Sequence, residues 1–427
     1  MKEEATWFGQ PRGLTVLFLT NMWEQFSYFG MRALLIYYMT KELLLGQQTS
    51  SFIYGAYTAF AYFTPIIGGA IADRWLGKRR AVIIGASIMA AGHFMMAFEP
   101  LFYAALATIA FGNGFFLPSL PSQINDLYTA DDPRRGWAYN VYYVGINIGG
   151  FLAPLICGTL GEVYGWHYGF GAAGVGMVIG LLIYLWGGRY LPPEQPREVS
   201  APRDPGAATF GRTYLLLLGI GLSVTVFRGA YEQVGNTIAL WADTGVVRDL
   251  GGFVIPMTWF QSLNPLLVIL MTPMLLAWWS RRAAVGKEAS PARKMAFGAL
   301  MVGGAYLLLA LVTLVGAGER VSWLWLAAFF AVLTFGELYI LPTGLGLFAR
   351  LAPPRLGATT VAAWFLVIFS GSLFAGLVGT LWSSLSRTSF FLTLAVLGAI
   401  AAGLLLLLDR PTRAVERQRN SEEADRR

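Results

Sequence analysis

Long apolar stretches of nearly constant length alternate along this chain with short polar ones. A helix that crosses a bilayer needs about 20 mostly apolar residues. On that scale twelve segments qualify, near residues 13–39, 51–73, 81–98, 101–123, 137–162, 169–189, 213–241, 250–279, 295–317, 321–349, 357–385 and 388–409. Trp137, Trp166, Trp278, Trp279 and Trp323 fall at segment ends, where aromatic rings settle between lipid and water. The longest polar interruption, LPPEQPREVSAPRDPGAATFGR at 191–212, separates six spans from six. Its proline, alanine and charge content predicts an unstructured linker. The expected organisation is a six-helix bundle over 1–190, a linker over 191–212, a second bundle over 213–409 and a solvated tail over 410–427. Carriers whose two bundles rock about a midplane site have this layout.

Composition removes the alternatives. The chain is 56% hydrophobic and 13% charged, with mean hydropathy +0.55, against roughly 25% charged in a soluble domain. A water-soluble globule has too little polar surface available here, so the fold class is an all-α membrane protein. One Cys excludes a disulfide framework, and two His without HExxH spacing leave nothing for zinc. Neither a nucleophile elbow, a P-loop nor a dinucleotide fingerprint is present, so no enzyme, cofactor or metal is expected. The first span is too long, and lacks the small-residue cleavage site, for a removable signal peptide. With the N-terminus inside, 25 of the 31 Lys and Arg fall on the inner side, as the positive-inside rule requires. Both termini are expected in the cytoplasm, with the chain in the cytoplasmic membrane. The +7 charge is scattered over many loops and needs no nucleic-acid partner.

Charge inside a span is costly and marks function by default. Five residues qualify: Glu24, Arg32, Arg228, Glu232 and Glu337. In the first span Asn21, Glu24 or Gln25, Tyr28 and Arg32 follow three- and four-residue steps and share one helical face. In the seventh, Arg228, Glu232 and Asn236 do the same. Such faces belong against a wet cavity, not lipid. Arg228 and Glu232, four apart, also have the spacing to neutralise one another as a purely structural pair. Glu337 has no basic neighbour in its span and suits an ammonium group or a transferable proton.

The stretch FGQPRGLTVLFLTNMWEQFSYFGMRALL at 8–35 resembles the opening of the proton-coupled oligopeptide transporter family of the major facilitator superfamily. GGAIADRWLGKRR at 68–80, YYVGINIGGFLAPLICGTL at 142–160 and GWHYGFGAAGVGM at 165–177 continue the likeness in family order. So do YEQVGN at 231–236, WFQSLNPL at 259–266, GELYILPTGLGL at 336–347 and VAAWF at 361–365. The blocks cover both halves. The resemblance implies two six-helix bundles, import of di- and tripeptides coupled to protons, and a monomer.

It also implies roles. Glu337 matches the carboxylate that receives the peptide ammonium, and Asn147 and Asn264 match asparagines that hydrogen-bond the peptide. Tyr28 and Tyr62 match cavity tyrosines, and Trp364 matches a wall of the pocket. Arg32 matches the arginine that binds the peptide carboxylate or pairs with Glu232. Asp73, Arg74 and the Lys78–Arg80 run resemble the superfamily's inner gate. A zwitterion of variable side chain is best grasped by its fixed ends, one acid and one base with amides between.

The chain departs from the family in one network. The hallmark ExxER of the first helix is Asn21-Met22-Trp23-Glu24-Gln25 here, and Leu117 stands at the position of its helix-four lysine. Arg228 stands where relatives often carry tryptophan, and Phe29 replaces a common tyrosine. Glu24 therefore either carries a proton, alone or with Glu232 or Glu337, or stays neutral as a hydrogen-bonding group. The 22-residue linker also has no room for the extra helix pair of many bacterial members.

Overall fold

Apolar stretches of this length fold as helices because, in lipid, each backbone N–H and C=O must find its partner within the segment. The computed structural model describes residues 6–7, 9–129, 132, 134–193, 210–287, 289–351 and 357–424. The first half holds α1 (Arg12–Tyr37), α2 (Gln47–Ile71), α3 (Lys78–Met95), α4 (Phe102–Ser122), α5 (Arg135–Ala153), α6 (Thr159–Tyr164) and α7 (Trp166–Gly187). The second holds α8 (Phe210–Tyr231), α9 (Thr237–Thr244), α10 (Leu263–Ala284), α11 (Pro291–Val315), α12 (Trp323–Leu351), α13 (Gly357–Gly379) and α14 (Arg387–Ala424).

Several of these are parts of one span. A π-helical turn at Pro154–Gly158 joins α5 to α6, and another at Ala72–Leu76 prolongs α2. A 3₁₀ turn at Glu232–Gly235 joins α8 to α9. Among the described residues nine helical runs are long and apolar enough to cross a membrane, the first beginning at Glu99 and the last at Arg387. The three expected spans before them coincide with α1, α2 and α3. Those helices are 26, 25 and 18 residues long. Asn21, Glu24, Gln25 and Arg32 dilute the first, Gln, Ser, Thr and Gly the second, and Lys78, Arg79 and Arg80 the third.

The chain divides into two compact units. One comprises Met1–Gly46, Phe60–Arg197 and Arg248–Ile269, and the other Gln47–Ala59, Glu198–Val247 and Leu270–Arg427. The units follow the sequence halves except that the first half of α2 groups with the second and the start of α10 with the first. Inside the first unit the Glu162 carboxylate accepts from the Met257 and Thr258 amides at 3.0 and 2.8 Å. It thereby satisfies free N–H groups at the start of the Met257–Ala284 run. Most of the expected linker, residues 194–209, lies outside the described residues. At its start Arg79 donates to the carbonyls of Gly188 and Pro192, at 3.3 and 2.8 Å, and Leu191 is buried. Beyond residue 409, where a solvated tail was expected, α14 continues as helix to Ala424.

Small residues set the closest helix approaches, as in membrane bundles generally. In the second unit, a Cβ placed on Gly298 of α11 meets the Gly336 carbonyl of α12 at 2.4 Å, and one on Gly336 meets the Gly298 carbonyl at 2.6 Å. Gly298→Val is expected to cost about 1–3 kcal/mol or more by overpacking, read as a lower Tm of the purified protein. Gly304→Ala on the same helix, where a Cβ meets nothing within 4 Å, is expected to leave Tm unchanged or raise it.

Candidate functional site

In the first unit the polar residues of α1 turn inward. Asn21, Glu24 and Tyr28 are buried and Arg32 is half-buried. Asn21 Nδ2 donates to the Tyr142 carbonyl of α5 at 3.3 Å, which ties the two helices together. A methyl group on Gly149 of α5 would strike the Met22 carbonyl at 2.2 Å, so the glycine lets α5 reach this face. Glu24 is 1% exposed, and Gln25 Nε2 donates to its Oε2 at 2.7 Å. Among the described residues the neighbour of this carboxylate is therefore a neutral amide, not a cation. Leu117 is half-buried on α4.

The remaining candidates of this unit sit on three other helices. Tyr62 is half-buried on α2, Asn147 is buried on α5, and Asn264 is half-buried at the start of α10. Asn147 Nδ2 donates to the Tyr143 carbonyl at 2.9 Å. Asp73 and Arg74 are exposed on the π turn that ends α2. Close by in sequence, Lys78 pairs with Asp126 at 2.7 Å. Two members of the Lys78–Arg80 run are thus engaged inside this unit, Lys78 with an acid and Arg79 with the carbonyls that end α7.

The second unit holds the other in-span charges. Arg228 and Glu232 form an ion pair, both nearly fully buried. Arg228 Nη2 also donates to Ser372 Oγ of α13 at 3.2 Å. A Cβ on Gly371 would lie 2.7 Å from Arg228 Cβ. Glycine and serine at 371–372 therefore make the room that a guanidinium in this position needs. Glu337 of α12 is buried at 7% exposure and accepts a side-chain hydrogen bond from Tyr231. Glu232 lies close enough to Tyr231 to act on it electrostatically, as do Arg228 and Glu337. Two acids, one cation and one phenol hence form a single buried cluster on α8, its 3₁₀ turn and α12. Trp364 of α13 is buried against Phe348, ring centroids 5.0 Å apart.

The regular face drawn through Arg228, Glu232 and Asn236 is corrected in one respect. The α-helix ends at Tyr231, and Asn236 has φ −113 and ψ −97, so the periodicity does not carry through to it. Asn236 Oδ1 instead accepts from Ser51 of α2 at 2.7 Å, and Gln47 Nε2 donates to the same serine at 2.6 Å. Gln233 bridges the break: its Nε2 donates to the Gly229 and Ala375 carbonyls at 3.0 and 2.8 Å, and its Oε1 accepts from Thr237 at 2.9 Å. Arg32, implied either to bind the peptide carboxylate or to pair with Glu232, belongs to the first unit, and within the second unit Glu232 pairs with Arg228. Tyr231 was missed. It is the last residue of α8, and the packing of α12 brings Glu337 to its hydroxyl.

Apolar helices that keep acids, cations and amides buried in mid-span are the make-up of a membrane carrier. The model of the POT family matches residues 79–204 and 212–396. A di-/tripeptide transporter of Lactococcus lactis subsp. cremoris is 31% identical over 486 residues, covering 96% of this chain and 97% of that protein. YclF, an uncharacterized transporter of Bacillus subtilis (strain 168), is 32% identical over 464 residues, covering 94% of each chain. The crystal structure of peptide transporter POT in complex with sulfate superposes with a TM-score of 0.88 at 27% identity, covering 96% of this chain and 97% of that one. The chain belongs to the POT family. It is an integral membrane transporter with the major facilitator superfamily fold, and not an enzyme.

Proposed function

We propose that the protein carries di- and tripeptides across the cytoplasmic membrane by alternating access, both termini cytoplasmic, with bundles 1–190 and 213–409 moving about a central site. Glu337 takes the peptide ammonium. Arg32 and Arg228 serve its carboxylate, Asn147 and Asn264 its amide groups, and Tyr28, Tyr62 and Trp364 form the walls. Arg32 and Glu232 act on one side as a gate, and Asp73 and Arg74 on the other. The observation that carries the reading is the buried Glu337, held by Tyr231 beside the Arg228–Glu232 pair. A carboxylate so placed is poised to exchange a neutral donor for an ammonium. The 31% identity to a di-/tripeptide transporter supports the same substrate class.

Protons are the proposed driving ion, carried by Glu24, Glu232 and Glu337, through a network changed from the family's. The support is Glu24, whose neighbour is the amide of Gln25 where the ExxER pattern supplies an arginine. Uptake of a labelled dipeptide into liposomes is expected to rise with an inwardly directed proton gradient. The triple variant Asn21→Glu/Gln25→Arg/Leu117→Lys is expected to respond more steeply to that gradient than wild type. Identical gradient dependence in the two proteins removes the missing network as the determinant of coupling. Equal uptake at every gradient removes proton coupling. Neither uptake nor counterflow of any peptide, in protein that exchanges another small zwitterion, removes peptides as the substrate.

A further inference from the structure

The junction between α10 and α11 encloses a cavity of about 240 Å³ that uses none of the residues assigned to the peptide. Its wall carries Trp278, Trp279 and Arg282 from α10, Arg293 and Lys294 from α11, and Tyr339 from α12. The Arg282 guanidinium lies over the Trp278 ring at 5.1 Å and the Lys294 ammonium over Trp279 at 4.4 Å. Trp279 meets Tyr339 edge-on, centroids 5.0 Å apart. The aromatic rings thus form a floor, and the cations are stacked on it rather than extended into solvent.

Arg293 Nε donates to Asp409 Oδ2 at 3.0 Å, and that same carboxylate also binds Arg413. Arg282 and Lys294, stacked on the rings, line the cavity with positive groups that an anionic ligand is suited to meet. Arginine matches the oxygens of a phosphate in a forked geometry, and lysine adds a point charge.

Apolar surface leads away from the charged end. Leu270, Met274 and Trp278 fall at four-residue intervals on α10 and are 57%, 74% and 46% exposed. Phe297 and Leu300 of α11 are exposed as well. A soluble anion has no use for such strips, whereas acyl chains lie along them. Tryptophans at the end of a span also fix the depth of the pocket at the lipid–water interface.

We infer that this cavity is a binding site for the phosphodiester headgroup of an anionic phospholipid, held by Arg282, Lys294 and Arg293, with its acyl chains along α10 and α11. In the orientation proposed above the site opens to the cytoplasmic leaflet, where basic pockets between spans meet anionic headgroups.

The test uses the full-length protein in detergent. Phosphatidylglycerol is titrated against phosphatidylcholine, with bound lipid counted by native mass spectrometry and Tm read in parallel. Wild type is expected to retain phosphatidylglycerol preferentially and to gain Tm with it. In Arg282→Gln/Lys294→Gln the half-saturating phosphatidylglycerol concentration is expected to rise roughly 30-fold. Arg281→Gln, which alters an exposed cation outside the cavity wall, is expected to match wild type. Equal retention of the two lipids by wild type overturns the proposal whatever the variants do, and so does undiminished binding in a folded double variant. If glycerol 1-phosphate alone raises Tm as much as the lipid does, the site takes a soluble phosphate and the lipid assignment falls. A failure of peptide uptake leaves this result untouched, because the readouts are lipid binding and Tm.

Discussion

Glu337→Gln is expected to lower the initial rate of dipeptide uptake by roughly 30-fold or more, while leaving Tm within a degree or two of wild type. The substitution keeps the shape of the side chain and an oxygen to accept from Tyr231, so the contact between α12 and the end of α8 survives. What disappears is the negative charge. A buried cation that loses its charged partner costs about 2–5 kcal/mol, and here that cation is the ammonium of the substrate. An N-acetylated dipeptide, which lacks the ammonium, is expected to compete poorly for wild type and no worse for the variant. Tyr231→Phe removes the hydroxyl that orients Glu337 and is expected to weaken uptake by about tenfold or less, the size of one hydrogen bond to a charged group. Uptake by Glu337→Gln within threefold of wild type means the ammonium is bound elsewhere.

Much of this architecture was legible in the sequence because lipid enforces simple rules. Span length and backbone satisfaction decide where helices run, and α4, α7, α11 and α12 lie within a few residues of the positions expected from hydropathy. The in-span charges were legible for the same reason. The i,i+4 spacing of Arg228 and Glu232 announced a pair, and the structure has one. What escaped reading depends on departures from regular helix. The 3₁₀ turn at Glu232–Gly235 changes the direction of every side chain after Tyr231, which moves Asn236 off the expected face. Tyr231 precedes that turn, three residues after Arg228 on regular helix, and only the tertiary packing of α12 shows what it meets. Long-range partners such as Glu162 with the 257–258 amides leave no trace in local pattern, since a carboxylate near a span end reads equally well as surface charge. Arg79 was read as part of a basic gate run, and its carbonyl partners are invisible until the chain after α7 is placed. The helical continuation of α14 past Asp409 was masked by composition. Charged residues signal solvent exposure, and they say little about whether the backbone stays helical.

The pair on α8 carries the second large expectation. Arg228→Leu or Glu232→Leu alone is expected to destabilise the protein by about 3–5 kcal/mol, because each strands the other charge in a buried setting. Arg228 and Glu232 are 3% and 4% exposed, so water does little to compensate either one. The double variant Arg228→Leu/Glu232→Leu is expected to recover most of that loss. Replacing a buried pair by apolar groups of similar size is often neutral, and Gly371, with no side chain of its own, already admits a long side chain at position 228. Thermal unfolding of all four proteins under one condition reads this directly as a coupling between the two sites. Transport then separates structure from function. Were the pair only a clamp within the second unit, the double variant would fold and carry dipeptide as wild type does. On the role proposed for Arg228 it folds but transports poorly, with a KM raised at least tenfold for the free dipeptide. For a peptide amide, which has no terminal carboxylate to lose, the KM is expected to change little. A cation in a span costs stability wherever it sits. On the proposed role the glycine and serine shaped around Arg228 keep that cation in place for the substrate's own negative end, and the KM contrast between dipeptide and peptide amide tests it.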